Sequence, residues 1–412
     1  MTGAGIFDIK NMHRHEKHFP HNQTLLSLID SFKQTKLSGA LTALYSNRVI
    51  QQIAAALVGL FLPILLYINL DNSFYKVLAF FALSFLLWLF LVPLGAMAMS
   101  KIGIRKSIVI SIVFGLAWYY LLQQFSLGKP IVYLGLALVA ITIYRCFYWV
   151  PFHTDFAEFT DKRTRGRQLA FLMSVSLIVS VFIPVLAGLI IANYGYEILF
   201  LIAITVYLLS IIPVFLLPKV QEKFSYTYFQ TFKQVFSKKH RNMLISYAAD
   251  GAQNVSGIVV WPIFIWLIMN QNYAAVGLIS SLIILFSLIL QLFMGNLSDR
   301  FDKRKVLKWG ARLNAAGWII KMFVQTGFQI FIASTYHSFA SIVMRTPYDA
   351  LMYERAADSG HYVDEYTVLR EISLGIGRLI MIAAIALIFL ITGSMGATFL
   401  AAALASLLVS VL

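Results

Sequence analysis

The chain has 412 residues, of which 59% are hydrophobic and only 12% are charged, and its formal net charge is +15. A soluble protein of this size cannot bury so much apolar surface, because its exterior must be hydrated. The apolar residues come in runs of roughly 20, the length that crosses about 30 Å of hydrocarbon. The composition therefore predicts an all-α integral membrane protein and excludes a water-soluble globular one.

The excess of positive charge does not indicate nucleic-acid binding, because the basic residues stand in short loops between apolar runs. The positive-inside rule accounts for that placement. The single cysteine, Cys146, excludes an internal disulfide and fits a bacterial inner membrane. Residues 1–45 are polar and are predicted to be a cytoplasmic tail, with a possible surface helix near its end. The histidines of this tail are interpreted as solvated, so we predict no metal site and no cofactor.

Run lengths and breaker positions predict about twelve transmembrane spans. The predicted domains are the tail, a first six-helix bundle at 46–217, a basic cytoplasmic linker with an amphipathic segment at 218–241, and a second bundle at 242–412. The spans of the first bundle lie near 50–69, 75–97, 106–123, 131–152, 168–193 and 197–217. Those of the second lie near 243–269, 274–295, 306–325, 329–350, 367–391 and 395–412.

The orientation follows from the distribution of lysine and arginine among the loops. The loops at 98–107, 162–167 and 299–308 are rich in both, and Lys129 is the clear exception on the other side. Both termini are therefore predicted to be cytoplasmic, which requires an even number of spans. The opposite loops, which contain no lysine or arginine, lie near 70–74, 194–196, 270–273, 326–328 and 392–394.

The two halves repeat one another at a fixed separation. Gly95 begins the stretch GAMAMSKIGIRKS, and Gly295 begins GNLSDRFDKRKVL 200 residues later. Arg145 and Arg345 have the same separation, as do the tyrosines three residues after them. Because six spans return the chain to the same side, the repeats are predicted to be parallel, related by an axis along the membrane normal.

These motifs resemble the major facilitator superfamily. The stretch from Gly295 is similar to the G-x-x-x-D-R-x-G-R-R signature that follows the second span of each half in that family, with Asp302 in place of a glycine. The first-half copy has Met99 at the position of the acid. Arg145 resembles the family's fourth-span arginine, and the R-G-R at 165–167 resembles the motif that follows it. The resemblance covers residues 45–412, is shared with uncharacterised bacterial members, and implies two six-helix repeats that rock to give alternating access.

The acid and bases of this signature stand at the ends of neighbouring helices, where they can hydrogen-bond helix termini and pair across the bundle. Such contacts hold one conformation and must break when the halves rock. We therefore predict a conformational latch, and the alternative is that these residues only enforce the topology. The predicted latch residues are Gly95, Arg105, Gly295, Asp299, Arg300 and Arg304.

Ionisable residues inside spans cost roughly 2.5–3.5 kcal/mol on insertion scales, so each requires a reason. In the fourth span Arg145, Trp149 and His153 share one helical face, because they are four residues apart. The repeat places Arg345 and Asp349 on the equivalent face of the tenth span. If the resemblance holds, the first, fourth, seventh and tenth spans line a central cavity, and these faces meet across it.

The seventh span adds three polar residues on one face and a tryptophan two turns further along. We predict that Arg145 and Arg345 bind an anionic or hydroxylated group through their planar forks of donors, while aromatic rings stack on the substrate. A compatible alternative is that either arginine pairs structurally with Asp349 or Asp250. The predicted substrate-binding residues are Arg145, Tyr148, Trp149, Asp250, Gln253, Asn254, Trp261, Arg345 and Asp349.

Proton coupling needs a group whose pKa shifts as access alternates. Asp250 is the first choice because it lies inside an apolar helix, and His153 and Asp349 come next. Small residues at moving faces are predicted to allow close helix approach: Gly188, Gly375 and Gly377. Other polar residues inside spans are predicted to pack, snorkel or hydrogen-bond between helices: Arg312, Asn314, Lys321 and His337.

The sequence thus predicts a secondary active transporter of a small organic solute, coupled to an ion, with a proton first, by symport or antiport. It is expected to be a monomer in the cytoplasmic membrane. One alternative is a transporter-like receptor or assembly partner that does not transport, since fold does not fix function. Another is a membrane-embedded enzyme, although the sequence has no constellation of nucleophiles or metal ligands.

The latch hypothesis makes the first testable prediction. Asp299→Asn removes the charge that is expected to pair across the bundle, so the balance between inward- and outward-facing states should shift and the transport rate should change. Accessibility of cysteines introduced on the two sides of the membrane measures that balance. An unchanged accessibility ratio together with an unchanged rate would contradict the latch.

Overall fold

The computed structural model describes residues 39–159, 165–218, 224–294, 302–358 and 363–411, with side chains except at 153–178, 292–301 and 352–364. Within these residues the chain forms helices and turns and no strand. Eight of the described helices are long and apolar enough to cross a membrane. One of the eight, Val179–Val214, contains two spans. With the shorter apolar helix Gly396–Val411 and the more polar helices Lys303–Met322 and Gly327–Asp358, they form twelve spans in the described part of the chain.

The first six spans agree with the predicted ranges except at the first. The fifth and sixth spans lie in one helical run, which Gly195 interrupts with φ 78° and ψ 179°. The bounds in this half are Gly39–Gly59 and Leu62–Asn69, Phe74–Ile102, Ile104–Ser126, Val132–Phe159, Arg165–Leu208 and Ile211–Val214.

The second half begins after a linker that contains the helix Tyr228–Val235 and the 3₁₀ turn Lys238–His240. Its seventh span has a π-helical turn between two α-helical segments. The bounds are Arg241–Val255, Ser256–Val260 and Trp261–Ile268 for the seventh span, then Tyr273–Met294, Lys303–Met322, Gly327–Asp358, Val363–Thr392, and Gly396–Thr398 with Phe399–Leu408 and Val409–Val411.

The first span begins at Gly39, not near residue 50, and includes residues that were predicted to belong to the tail. Its polar residues are satisfied inside the bundle: Asn47 Nδ2 donates to the Ser210 carbonyl oxygen at 2.7 Å, and Gln51 Nε2 donates to Asn47 Oδ1 at 3.2 Å. The Tyr144 hydroxyl donates to Gln51 Oε1 at 3.1 Å. These partners come from the fourth and sixth spans, so run length alone does not reveal that the polar stretch is buried.

The parallel repeat is visible in the backbone of two equivalent connections. The turn between the first and second spans has positive φ at residues 71 and 72, and the turn between the seventh and eighth spans has it at residues 270 and 271. In each turn, the amide of the second of these residues donates to the carbonyl oxygen five residues earlier at 2.9 Å. Two copies of one turn at equivalent places in the two halves confirm the repeat independently of side-chain identity.

The two halves pack against each other through two equivalent contacts, the second span with the eleventh and the eighth with the fifth. We call the end that carries the turns at 70–73 and 269–272 the charge-poor end, and the opposite end, which carries the linker, the basic end. At the charge-poor end the equivalent residues Tyr67 and Trp266 meet with ring centroids 6.4 Å apart. Phe74 of the second span contacts Phe389 of the eleventh, with centroids 4.9 Å apart.

The linker packs against both halves at the basic end. Phe232 of the linker helix lies 6.1 Å from the ring of Phe90 in the second span. The backbone amide of Ser225 donates to Glu365 Oε1 of the eleventh span at 2.7 Å. The linker therefore contacts the same two spans that meet across the interface.

Glycines allow the closest helix contacts, as predicted. A Cβ on Gly377 would collide with the carbonyl oxygen of Ala248 where the eleventh and seventh spans cross. A Cβ on Gly188 would collide with the carbonyl oxygen of Tyr273 where the fifth and eighth spans cross. A Cβ on Gly375 would lie 3.2 Å from the Leu89 side chain, across the interface between the halves. The contacts of Gly188 and Gly375 lie between the halves, where close approach was predicted, whereas that of Gly377 lies within the second half.

A glycine pair tests this packing. Gly377→Ala should force the seventh and eleventh spans apart and destabilise the protein by about 1–3 kcal/mol, as overpacking does. Gly135→Ala is the matched control, because nothing lies within 4 Å of its Cβ position. The buried thiol of Cys146 reports unfolding when a thiol-reactive dye is present during heating. Equal midpoints for the two variants would contradict the close contact.

Candidate functional site

An ion pair and a chain of amides connect four spans of the second half. Arg345 Nη2 of the tenth span lies 2.9 Å from Asp250 Oδ1 of the seventh, and the Asp250 side chain is 7% exposed. Gln253 Nε2 donates to the same carboxylate oxygen at 3.3 Å. The Oε1 of Gln253 accepts from Asn314 Nδ2 and from the Ser406 hydroxyl, both at 2.7 Å. The ninth and twelfth spans therefore hold the amide that helps to orient the carboxylate.

A cation–aromatic platform joins the two halves at mid-depth. Arg145 Nη1 donates to the Ser84 hydroxyl at 2.8 Å, and its Cζ lies 5.7 and 5.6 Å from the ring centroids of Phe85 and Trp88 in the second span. Arg378 of the eleventh span lies over the same two rings, at 5.1 and 5.3 Å. Two guanidinium groups from opposite halves therefore share one pair of aromatic rings, an arrangement that electrostatics favours for each cation separately.

Further charged residues surround this centre. Arg370 Nη1 pairs with Glu371 Oε1 at 3.0 Å, and the Arg370 guanidinium lies 5.9 Å from the ring centroid of Tyr247. Asp349 is partly buried and lies within electrostatic reach of Arg345. Arg370, Glu371 and Arg378 were missed by the sequence analysis. The insertion-cost argument that selected Arg145 applies equally to them, because they lie within the eleventh span.

The aromatic residues beside Arg145 are placed unequally. The Tyr148 ring is fully buried and stacks on Tyr144 and Phe152, with centroids 5.3 and 5.7 Å away. This differs from its predicted stacking on a substrate, because protein encloses the ring. Trp149 is only partly buried, and Arg48 of the first span lies 4.8 Å from its ring centroid. Arg48 was missed because the first span was predicted to begin after it.

Three of the predicted latch residues are described by the structure. Gly95 packs tightly against the backbone of Cys146, Arg105 lies 5.8 Å from the ring centroid of Phe215, and Arg304 is exposed. The Arg304 amide donates at 2.9 Å to the carboxylate of Asp302, which caps the ninth span in place of the signature's glycine. The other predicted latch residues lie outside the described residues: Gly295, Asp299 and Arg300. The side chain of His153 also lies outside them.

A cleft of about 260 Å³, which we call the C-half cleft, lies between the seventh, ninth and tenth spans. Four predicted binding residues line it, and so does Lys321. The Lys321 side chain does not snorkel: the residue is 6% exposed, and Nζ lies 4.3 and 4.7 Å from the ring centroids of Trp261 and Trp318. The residues that line the cleft are Gln253, Asn254, Gly257, Ile258, Trp261, Asn314, Trp318, Lys321, His337, Ser341 and Arg345.

The predicted site is thus divided into two parts. In the first half, Arg145 belongs to the platform and Trp149 lies under Arg48. In the second half, the predicted binding residues that line the C-half cleft are Gln253, Asn254, Trp261 and Arg345. Both parts are suited to an acceptor-rich solute, because arginine and amide donors predominate in them. Among the described residues, no group of histidine, cysteine and acidic side chains is placed to hold a metal ion.

Comparisons with known proteins identify relatives of the sequence and of the fold. The family model of the Major Facilitator Superfamily matches residues 44–249. The uncharacterized protein YqgE of Bacillus subtilis (strain 168) is 24% identical over 256 residues, which cover 59% of this chain and 58% of that protein. The match thus spans less than two thirds of that relative's length. The crystal structure of a variant of the E. coli fucose:proton symporter FucP has a similar fold, with a TM-score of 0.63 at 13% identity over 90% of this chain and 96% of that one.

A double-mutant cycle tests the central ion pair. Asp250→Ala and Arg345→Ala should each destabilise the protein, because each leaves a buried or half-buried charge unpaired, and the double variant should recover about 1–3 kcal/mol of the summed loss. The matched control is the exposed pair Lys76–Asp71, whose coupling should be about 0–1 kcal/mol. Thermal unfolding measures both cycles. Equal coupling energies would contradict a structural role for the buried pair.

Proposed function

Because the chain belongs to the major facilitator superfamily, we propose that it is a secondary transporter, which moves a small organic solute across the membrane by alternating access. The division into two six-helix bundles, the first of which begins at Gly39, and the linker at 218–241 between them support this mechanism. In such a carrier one half rocks against the other around a site at mid-depth. Family membership also sets aside the alternative of a membrane-embedded enzyme.

The observation that carries the proposal is the platform shared by Arg145 and Arg378. Arg145 is bonded to Ser84 of its own half, whereas Arg378 reaches the rings of Phe85 and Trp88 from the other half. Rocking of the halves must therefore change the distance between Arg378 and the rings while Arg145 keeps its place. A solute whose binding draws the two halves together would favour the conformation in which Arg378 lies over these rings. Its binding is in this way linked to the state of the interface.

The proposed substrate carries an anionic or hydroxylated group. Guanidinium and amide groups provide the donors that carboxylate and hydroxyl oxygens accept. The Arg345 side chain is 40% exposed, so part of its donor fork is accessible even while it pairs with Asp250. Trp149 in the first half and Trp261 in the second provide apolar surface for the body of the solute.

We assign proton coupling first to Asp250, with Asp349 and His153 as further candidates. Protonation of Asp250 would remove the negative charge that holds Arg345 and would release its donors to a substrate. Solute binding and proton binding would then favour each other, as symport requires. The carboxylate is enclosed by the seventh and tenth spans, so its access to water depends on how these spans move.

The proposed topology follows the placement of the basic loops. The basic end faces the cytoplasm, which puts both termini inside and the charge-poor end outside. The chain acts in the cytoplasmic membrane as a monomer, and the signature at 295–305 forms the latch on the inner side. The contacts of the linker with the second and eleventh spans would then lie on the cytoplasmic face of the interface.

Reconstituted protein tests this function. Proteoliposomes with a pH gradient across the bilayer are placed in a soluble metabolite extract. The solutes that accumulate inside them are identified by mass spectrometry. Wild-type protein should concentrate at least one solute, and collapse of the gradient should abolish its accumulation. Asp250→Asn should still exchange that solute across the membrane but should not concentrate it, because the proton carrier is lost.

Empty liposomes and the Lys76→Gln variant, which changes an exposed charge, serve as controls. Absence of specific uptake for every solute would contradict the transporter assignment. Concentrative, gradient-driven uptake by Asp250→Asn would exclude Asp250 as the proton carrier while leaving the transporter assignment intact.

A further inference from the structure

The side chain of Lys321 is buried, although the residue lies within a transmembrane span. It is near the charge-poor end of the ninth span, where a long side chain extended outwards reaches water. Its ammonium instead lies over the ring of Trp318, one turn back along the same helix, and over that of Trp261 in the seventh span. The faces of the two indole rings attract the ammonium group in its charged form. Among the described residues, no carboxylate pairs with it.

The wall of the C-half cleft also has buried polar atoms without partners. Trp318 Nε1, His337 Nδ1 and Asn314 Oδ1 are buried and make no hydrogen bond within the described part of the chain. Trp318 and Asn314 are 4% and 1% exposed. Each unsatisfied group is unfavourable unless a ligand or a water molecule completes its hydrogen bond. Together with Lys321, these residues form a set of donors and acceptors around one cleft.

The charges of the cleft do not balance. Arg345 is paired with Asp250, and that pair carries no net charge. When Lys321 is protonated, the cleft therefore has one unbalanced positive charge, which lies over two indole rings. In a region of low dielectric constant, an anion that enters the cleft gains more from this charge than it would in water.

We propose that the C-half cleft is the binding site for a small organic monocarboxylate, whose carboxylate binds Lys321 and accepts from Trp318 Nε1. This proposal rests on the proposed transport function and specifies its substrate class. The oxygens or hydroxyls at the other end of the solute accept from Asn254 and from the accessible part of Arg345. The solute thus lies along the cleft between Lys321 and Arg345.

The size of the cleft sets the size of the ligand. Its volume of about 260 Å³ is below the roughly 300–1,000 Å³ of pockets that hold drug-sized ligands. A single ring or a short chain with one carboxylate fills such a volume. A phosphate dianion would be matched less well, because the cleft has one unpaired cation and no arginine free to bind it with both arms.

Binding is measured on the purified full-length protein by tryptophan fluorescence and by thermal unfolding. The probes are two pairs that differ in charge, sodium benzoate with benzamide and sodium gluconate with glucose, at constant ionic strength. The carboxylate of at least one pair should quench fluorescence and raise the apparent Tm, and its neutral partner should not. Since benzamide enters detergent micelles at least as readily as benzoate, micelle partition cannot produce this difference.

Variants locate the site. Lys321→Met should weaken carboxylate binding by about tenfold to a hundredfold, the effect of losing a hydrogen bond to a charged group. Lys308→Met, the same change at an exposed position of the same span, should leave it unaltered. Lys321→Arg keeps the charge and should retain binding. Trp318→Phe keeps an aromatic ring but removes the Nε1 donor and should weaken binding by about twofold to tenfold, so it tests the site even if Lys321→Met does not fold.

The outcomes separate this proposal from the transport function. Equal binding of charged and neutral partners, or full carboxylate affinity in Lys321→Met or in Trp318→Phe, would overturn the cleft assignment. If proteoliposomes concentrate some solute while no carboxylate binds at the cleft, the transporter assignment stands and this inference fails. If carboxylates bind as expected but no solute is transported, the site stands and the transport function fails.

Discussion

The cost of holding charge in hydrocarbon is the constraint on which the centre of this protein depends. Asp250 and Arg345 meet that cost by pairing at 2.9 Å, and the amide of Gln253 fixes the carboxylate from one side. Arg145 and Arg378 meet it differently, by lying over the rings of Phe85 and Trp88. Each solution requires side chains from different spans, so the charges can be accommodated only when the bundle is assembled.

Close helix packing makes those meetings possible. Gly377 lets the eleventh span touch the backbone of the seventh, and Gly375 lets it approach the second span of the other half. The eleventh span is therefore held against both halves, and it carries Arg370, Glu371 and Arg378 between them. A wider separation at Gly375 would move Arg378 away from the rings of Phe85 and Trp88, which connects backbone packing directly to the proposed site.

The two halves share a fold but stabilise their arginines with different chemistry. The first half surrounds Arg145 with a hydroxyl and aromatic rings, whereas the second half pairs Arg345 with the carboxylate of Asp250, which an amide orients. Aromatic rings do not change charge, but a carboxylate can take up a proton. This difference supports different roles for the two halves. We propose that the second half couples to protons and contains the C-half cleft, and that the first half contributes to the shared platform.

The sequence by itself determined the membrane class, the parallel repeat and most span positions, because hydrophobic run length and the 200-residue separation are properties of the chain alone. It also identified Asp250, Arg345 and Arg145 as costly residues that need partners. It did not identify Arg378, the burial of Tyr148 or the position of Lys321 over two indole rings. It also placed the start of the first span too late. Those features depend on which spans pack together and on the direction of each side chain. Only the tertiary structure decided them, because a charge's partner is set by neighbouring helices and not by neighbouring residues in the chain.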